Sequence, residues 1–153
     1  GWFLSYDEPF ILLASPELLD DLTRKLMRIG LDNIMGYIPS TDVYHGDLQK
    51  VNMIEYEDFK TKISDNNTQI VDLRGVAEFN SGHVNGADNV FVGTILSNKD
   101  KIKKDKNVVI HCQGGDRSSI AYSLLAKEGF TNITNYSAGM NEWVAKGNAV
   151  VQS

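Results

Sequence analysis

The one cysteine of this 153-residue chain, Cys112, stands in the run His111-Cys112-Gln113-Gly114-Gly115-Asp116-Arg117-Ser118, where an apolar strand-like segment, Asn107-Val108-Val109-Ile110, gives way to a stretch with helical apolar period. A thiol at the N-terminal end of a helix meets free backbone N–H groups and the positive end of the helix dipole, both of which favour its thiolate. Gly114 and Gly115 let the backbone curl so that successive amides face inward. Arg117 adds a fixed charge and a planar fork of donors suited to oxyanions. The octapeptide reads as a nucleophile in an anion cradle.

Such a cradle needs a strand in front of it and a helix behind it, and the chain supplies this alternation throughout. Residues 10–14 form a continuous apolar run, expected to be a buried strand. Ser15-Pro16-Glu17 then opens a helix whose apolar face is Leu18, Leu19, Leu22, Leu26 and Met27, ending at Gly30, with a strand expected over 33–38. Polar, turn-rich sequence follows. Residues 1–40 are therefore read as one partial unit, 41–49 as a linker and 50–153 as the domain that carries the cysteine. Within that domain the pattern predicts strands over 51–54, 69–73, 88–91, 107–111 and 133–136. It predicts helices over 55–63, 77–79, 94–104, 117–128 and 140–146. The fold class is α/β with a mainly parallel sheet covered on both faces.

Two stretches echo one another. Ile11-Leu12-Leu13-Ala14-Ser15, a helix, Ile29-Gly30 and Asn33-Ile34 match Val108 to Cys112, a helix, Glu128-Gly129 and Asn132-Ile133. The second copy has Cys112 where the first has Ser15, as expected of a duplication in which one site has been lost.

Composition narrows the function. The chain is 42% hydrophobic and 23% charged, with a net charge of −5. That balance describes a soluble globular domain, gives no basic footprint for nucleic acid, and leaves no apolar run of bilayer length, so neither a nucleic-acid nor a membrane partner is expected. Lys99, Lys101, Lys103, Lys104 and Lys106 cluster ahead of the cysteine strand. They are read as a solvated helix end rather than a docking patch for an acidic partner. A single cysteine excludes an internal disulfide, and the cytosol is the expected compartment. His45, His83 and His111 are far apart, so no metal site is argued. The chain begins without methionine inside what reads as structure, as a piece of a longer polypeptide would.

From about residue 50 to residue 151 the sequence resembles a rhodanese domain, the sulfurtransferase fold. The resemblance is carried by Ile70-Val71-Asp72-Leu73-Arg74, Glu78-Phe79, Gly82-His83-Val84-Asn85-Gly86-Ala87-Asp88-Asn89, the loop from Cys112 to Ser118, and Gly139-Met140-Asn141-Glu142-Trp143, where Ala138 replaces a family glycine. It implies a rhodanese-like parallel sheet flanked by helices and sulfane-sulfur transfer through a Cys112 persulfide. The donor would be thiosulfate or a low-molecular-weight persulfide, the acceptor a thiol or cyanide, with no cofactor. The backbone of Gln113, Gly114, Gly115, Asp116, Arg117 and Ser118 would form the cradle. Two roles are open to Arg117: binding the donor anion, or bracing the loop against Asp72 or Glu78. Asp116 is expected to point outward and to disfavour dianionic thiosulfate. Asp72, Arg74 and His83 are read as scaffold near the site, His111 as turned into the sheet, Met140 and Trp143 as core, and Ser118 and Ser119 as helix caps.

Residues 1–40 look like the back half of a second, degenerate rhodanese-like unit. An inactive copy ahead of an active one resembles the C-terminal part of proteins in which a metallo-β-lactamase-type persulfide dioxygenase is fused to rhodanese domains. A fused upstream dioxygenase is the partner this resemblance suggests, beside the small-molecule sulfur donor and thiol acceptor; self-association into a homo-oligomer is a separate expectation, since a half-unit of about forty residues must lean on other sequence or another chain.

Two rival functions share the loop. Cysteine phosphatases and arsenate reductases of this fold place five residues between cysteine and arginine to wrap a tetrahedral oxyanion, whereas Cys112 and Arg117 have four between them. A non-catalytic sulfur-relay or protein-binding module is the other; the intact cysteine loop argues against a purely structural role.

Overall fold

The computed structural model describes residues 3–153, which divide between Gln49 and Lys50 into two compact units. In the first, β1 (Phe10–Leu13) and β2 (Ile34–Ile38) pair in parallel. A short 3-10 turn at Pro16–Leu18 and α1 (Leu19–Met27) connect them. The sequence predicts a strand buried on both faces. Instead β1 alternates, with Phe10 and Leu12 half-buried and Ile11 and Leu13 outward. A two-stranded sheet with a single helix covers only one of its own faces. Leu18 and Met27, placed on the apolar face of the helix by their spacing, are likewise exposed.

The second unit is built on a four-stranded, all-parallel sheet in the order β4-β3-β5-β6. Its strands are β3 (Thr68–Asp72), β4 (Asp88–Asn89), β5 (Asn107–His111) and β6 (Ile133–Tyr136). Four helices accompany them: α2 (Tyr56–Ile63), α3 (Val76–Ser81), α4 (Asp116–Lys127) and α5 (Gly139–Ala145). Strand residues alternate between two cores. Val71, Val108 and Ile110 pack with Ala121, Tyr122 and Leu125 of α4, while Ile70, Val109 and Tyr136 pack with Phe59 of α2 and Met140 and Trp143 of α5. Both faces of the central strands are thus buried, which is why Val108-Val109-Ile110 is apolar without interruption. Phe59 stacks on Tyr136 with centroids 4.1 Å apart and meets Trp143 edge-on at 5.7 Å.

Three elements depart from their predicted form. The strand expected over 51–54 is reduced to one parallel bridge, Met53 to Asn135, on the outer edge of β6. The helix expected over 94–104 is absent; the segment makes 3-10 turns at Val92–Thr94 and Lys99–Lys101. The break falls at Asn98, whose backbone and side-chain N–H groups both take the Thr94 carbonyl and whose φ of −116° and ψ of 15° leave the helical region, while Ile95 and Ile102 anchor the loop in the core. The neighbouring lysines therefore lie off any helix end. Lys99 pairs with Glu128 at 2.5 Å, Lys104 lies 4.6 Å from the Phe130 ring centre, and Lys106 donates to the Asn66 carbonyl. Finally, α4 is capped by Gly115 and not by Ser118 or Ser119.

The echo between the units extends to hydrogen bonds. After α1, Gly30 adopts φ +80° and Leu31 N donates to Leu26 O at 3.0 Å; after α4, Gly129 adopts φ +82° and Phe130 N donates to Leu125 O at 3.0 Å. Phe10 N donates to Asn33 O, and Val108 N to Asn132 O.

Candidate active site

Cys112 follows directly on β5, and its sulfur lies within the bend that leads to α4. Gly115, at φ +102°, turns the chain so that its N–H points at Cys112 Sγ, 3.2 Å away. A side chain cannot replace it: a Cβ there would sit 2.7 Å from the Ser137 carbonyl oxygen. Ser118, fully buried in the first turn of α4, holds its Oγ 3.7 Å from the sulfur and 3.0 Å from the Gly115 carbonyl. Its single proton goes to that carbonyl while the sulfur is a thiol and is free to swing to a thiolate. Burial opposes ionisation of Cys112, but the N–H groups of Ser118, Gly115 and Gly114 and the Ser118 hydroxyl outweigh it and hold the thiol below its ordinary value. Cys112 is 1% exposed, so the sulfur forms the floor of the loop.

The loop is fastened from the other side by α5. Met140 N donates to Cys112 O and Asn141 N to Gln113 O, each at 3.0 Å. Gly139, at φ +59°, permits this approach, because a Cβ there would lie 2.3 Å from Cys112 O. Gly139 and Asn141 are the residues whose part in the loop the sequence reading missed; a glycine opening the last helix was the available signal for the first, and nothing local marks the second.

Both arginines are engaged. Arg117 forms two hydrogen bonds to Glu78 of α3, 2.7 and 2.9 Å long, the contact that a bracing role calls for. The guanidinium holds the Glu78 carboxyl down at about 2, and the carboxylate raises Arg117 further, with the nearby Cys112 sulfur adding to that effect. Arg74 is buried on Asp72, donating from its backbone N, Nε and Nη2, and Nη2 also reaches the Gly82 carbonyl. Its remaining Nη1 donates to Gln113 Oε1 at 3.2 Å, which ties this buried pair to the loop. Asp116 begins α4 with an exposed side chain.

His83 and His111 are both held by their neighbours, the second with Nδ1 3.3 Å from the Cys112 carbonyl. His83 stacks on Phe79 at 3.6 Å, with Nδ1 2.9 Å from the Phe79 carbonyl, and its backbone bridges to Val151. His111 is buried edge-on to Phe59; its Nε2 has no hydrogen-bond partner and lies 4.0 Å from Asp72 Oδ2. Burial holds its pKa below the ordinary value, so the ring is neutral. Among the described residues no group of three or more His, Cys, Asp or Glu is placed to hold a metal ion, and no helix is long and apolar enough to cross a membrane.

Residues 55–146 match the Rhodanese-like domain family. Over 78 residues the chain is 37% identical to the uncharacterized protein YqhL of Bacillus subtilis, a match covering 51% of this chain and 62% of that one. A putative sulfur carrier protein of the same organism, YrkF, is 30% identical over 94 residues, 61% of this chain and 51% of its own length. The chain thus spans less than two thirds of these two relatives. A sulfurtransferase of Allochromatium vinosum is 30% identical over 102 residues, covering 66% of this chain and 95% of that protein. Among solved structures, a rhodanese-related protein of Thermoplasma volcanium superposes with a TM-score of 0.61 at 24% identity, over 67% of this chain and 99% of that one, a likeness of fold.

Proposed function

This chain belongs to the rhodanese-like domain family, and on that premise we propose that it is a sulfurtransferase that carries sulfane sulfur as a persulfide on Cys112. The reading rests above all on the sulfur's surroundings: Sγ lies at the start of a helix with the Gly115 N–H aimed at it, and the loop donors favour the thiolate in spite of burial. In the first step the thiolate attacks the outer sulfur of the donor. The new S–S bond forms as the old one breaks, and the bond pair leaves with sulfite or a thiolate. In the second step the acceptor, a thiolate or cyanide, attacks the outer sulfur of the persulfide, and Cys112 departs as thiolate. No proton need move in either step, so the neutral, buried His111 and the braced His83 are not required as bases. Backbone amides of residues 113–118 stabilise the terminal sulfur of the persulfide, where negative charge resides.

The charge balance around the loop favours a monoanionic persulfide over dianionic thiosulfate. Arg117 is neutralised by Glu78 and Arg74 by Asp72, and Asp116 adds an exposed carboxylate. A sulfur on the floor of the loop also admits only a slim terminal sulfur. Phosphatase chemistry fits poorly: four residues separate Cys112 from Arg117, and that guanidinium is already paired with Glu78. The proposal extends to the first unit as a copy that has lost its cradle, with Ser15 at the position of Cys112. Such an order supports a place downstream of a metallo-β-lactamase-type persulfide dioxygenase. It also extends to a reducing compartment such as the cytosol, where the lone cysteine returns to thiolate after each turnover.

Steady-state kinetics test the reading. With glutathione persulfide or thiosulfate as donor and cyanide as acceptor, double-reciprocal plots are expected to be parallel and Cys112→Ser inactive. Intersecting lines, or activity in Cys112→Ser, contradict it.

A further inference from the structure

Gln113 and Asn141 face each other across the mouth of the loop, and the direction of the hydrogen bonds between them is fixed from the buried side. A guanidinium only donates, so Arg74 Nη1 assigns the Gln113 atom it meets as Oε1. The other end of that amide is then Nε2, a donor, and its partner 2.6 Å away on Asn141 must be the acceptor Oδ1. Asn141 is left with Nδ2. That NH2 group lies where a side chain on Gly114 would project, 2.8 Å from the position of its missing Cβ. Gly114 is itself one of the residues whose amide favours the Cys112 thiolate. A one-way chain of donors therefore runs from Arg74, itself anchored on Asp72, through Gln113 to Asn141 and ends in an N–H donor beside Gly114 of the cradle, on an exposed side chain.

On the reading of Cys112 as a sulfur carrier, we propose that Asn141 is a substrate-positioning residue whose Nδ2 binds the oxyanion of the sulfur donor's departing part. The shared chemistry is an anionic oxygen on the fragment behind the transferred sulfur: a sulfonate oxygen in thiosulfate, a carboxylate oxygen in the persulfide of a peptide-like thiol. With Arg74 and Arg117 each paired to a carboxylate, the Asn141 amide is a neutral donor for this oxygen. It aligns the S–S bond for attack without adding the cation that would hold the leaving group back. Because the amide orientation is inherited from a buried guanidinium, the donor is presented before substrate arrives and needs no reordering.

Asn141 is exposed, so Asn141→Ala is expected to fold. Three donors separate the outcomes: thiosulfate, glutathione persulfide and inorganic hydrodisulfide, which has no oxygen. The variant is expected to raise KM about tenfold for thiosulfate and glutathione persulfide, the loss of one hydrogen bond to a charged group, while kinetics with hydrodisulfide stay within about twofold. The pH dependence of Cys112 alkylation, which reports the state of the cradle, is expected to match the wild type. An unchanged KM for both oxygen-bearing donors overturns the proposal. So does an equal change with hydrodisulfide or a shifted alkylation profile, since either marks a merely structural role in the loop. Wild-type protein that takes sulfur from none of the three overturns the sulfurtransferase reading itself and this inference with it.

Discussion

The Arg117 guanidinium is gripped at both ends by the Glu78 carboxylate, at 2.7 and 2.9 Å, so the one arginine of the cysteine loop is neutralised across 39 positions of sequence. Glu78→Gln leaves the shape but removes the charge, which frees Arg117 to meet an anion. The expected result is a gain of about threefold to tenfold in the ratio of thiosulfate to glutathione persulfide efficiency, the order expected of one partly screened charge. Steady-state kcat/KM with the two donors reads this directly, and an unchanged or lowered ratio counts against it.

The same pair sets an acid limit. Glu78 titrates at about 2 in the fold against 4.5 for a free glutamate. A depressed carboxylate contributes its stability above the unfolded value and loses it as the pH falls toward the folded one. The advantage of wild type over Glu78→Gln in urea midpoint is therefore expected to be full above about pH 4.5 and to shrink between there and pH 2. A difference that stays constant across that window rules out the assignment.

Ser118 places a hydroxyl beside the sulfur. In Ser118→Ala the Gly115 carbonyl keeps Ser119 N as a donor, so the loop retains its shape while the thiolate loses a partner. Cys112 alkylation should shift to higher pH, and sulfur uptake should slow by about threefold to tenfold at a pH below the wild-type alkylation midpoint, with little change well above it. Equal slowing at both pH values points instead to misplacement of the sulfur.

Gly139 opens α5 at φ +59°, against the Cys112 carbonyl. Gly139→Ala combines left-handed strain with a collision and is expected to destabilise the domain by more than about 2 kcal/mol in chemical denaturation. Wild-type stability in this variant contradicts the close packing of α5 on the loop.

What the sequence disclosed and what it withheld follow from the range of the interactions. The cradle is local, and a cysteine, two glycines and a helix start within eight residues announce it. The parallel sheet is legible for a similar reason: strands buried on both faces must be apolar throughout, as Val108-Val109-Ile110 is. The segment 94–104 misled because its lysines and isoleucines mimic a helical face while Asn98 ends the ladder. The β1 strand misled because an apolar run signals burial on both faces, whereas its own unit covers only one. Whether Arg117 binds or braces turns on Glu78, and the donor at Asn141 on Gln113 and Arg74, partners 28 and 39 positions apart in the chain. Spacing within a motif says nothing about such pairings.

The persulfide itself is the most direct test of the account. Protein incubated with glutathione persulfide and freed of excess donor is expected, by intact-mass spectrometry, to gain one sulfur atom, to lose it on adding cyanide, and to show no gain as Cys112→Ser. An unchanged mass in the wild type, or a gain that survives the loss of Cys112, contradicts it.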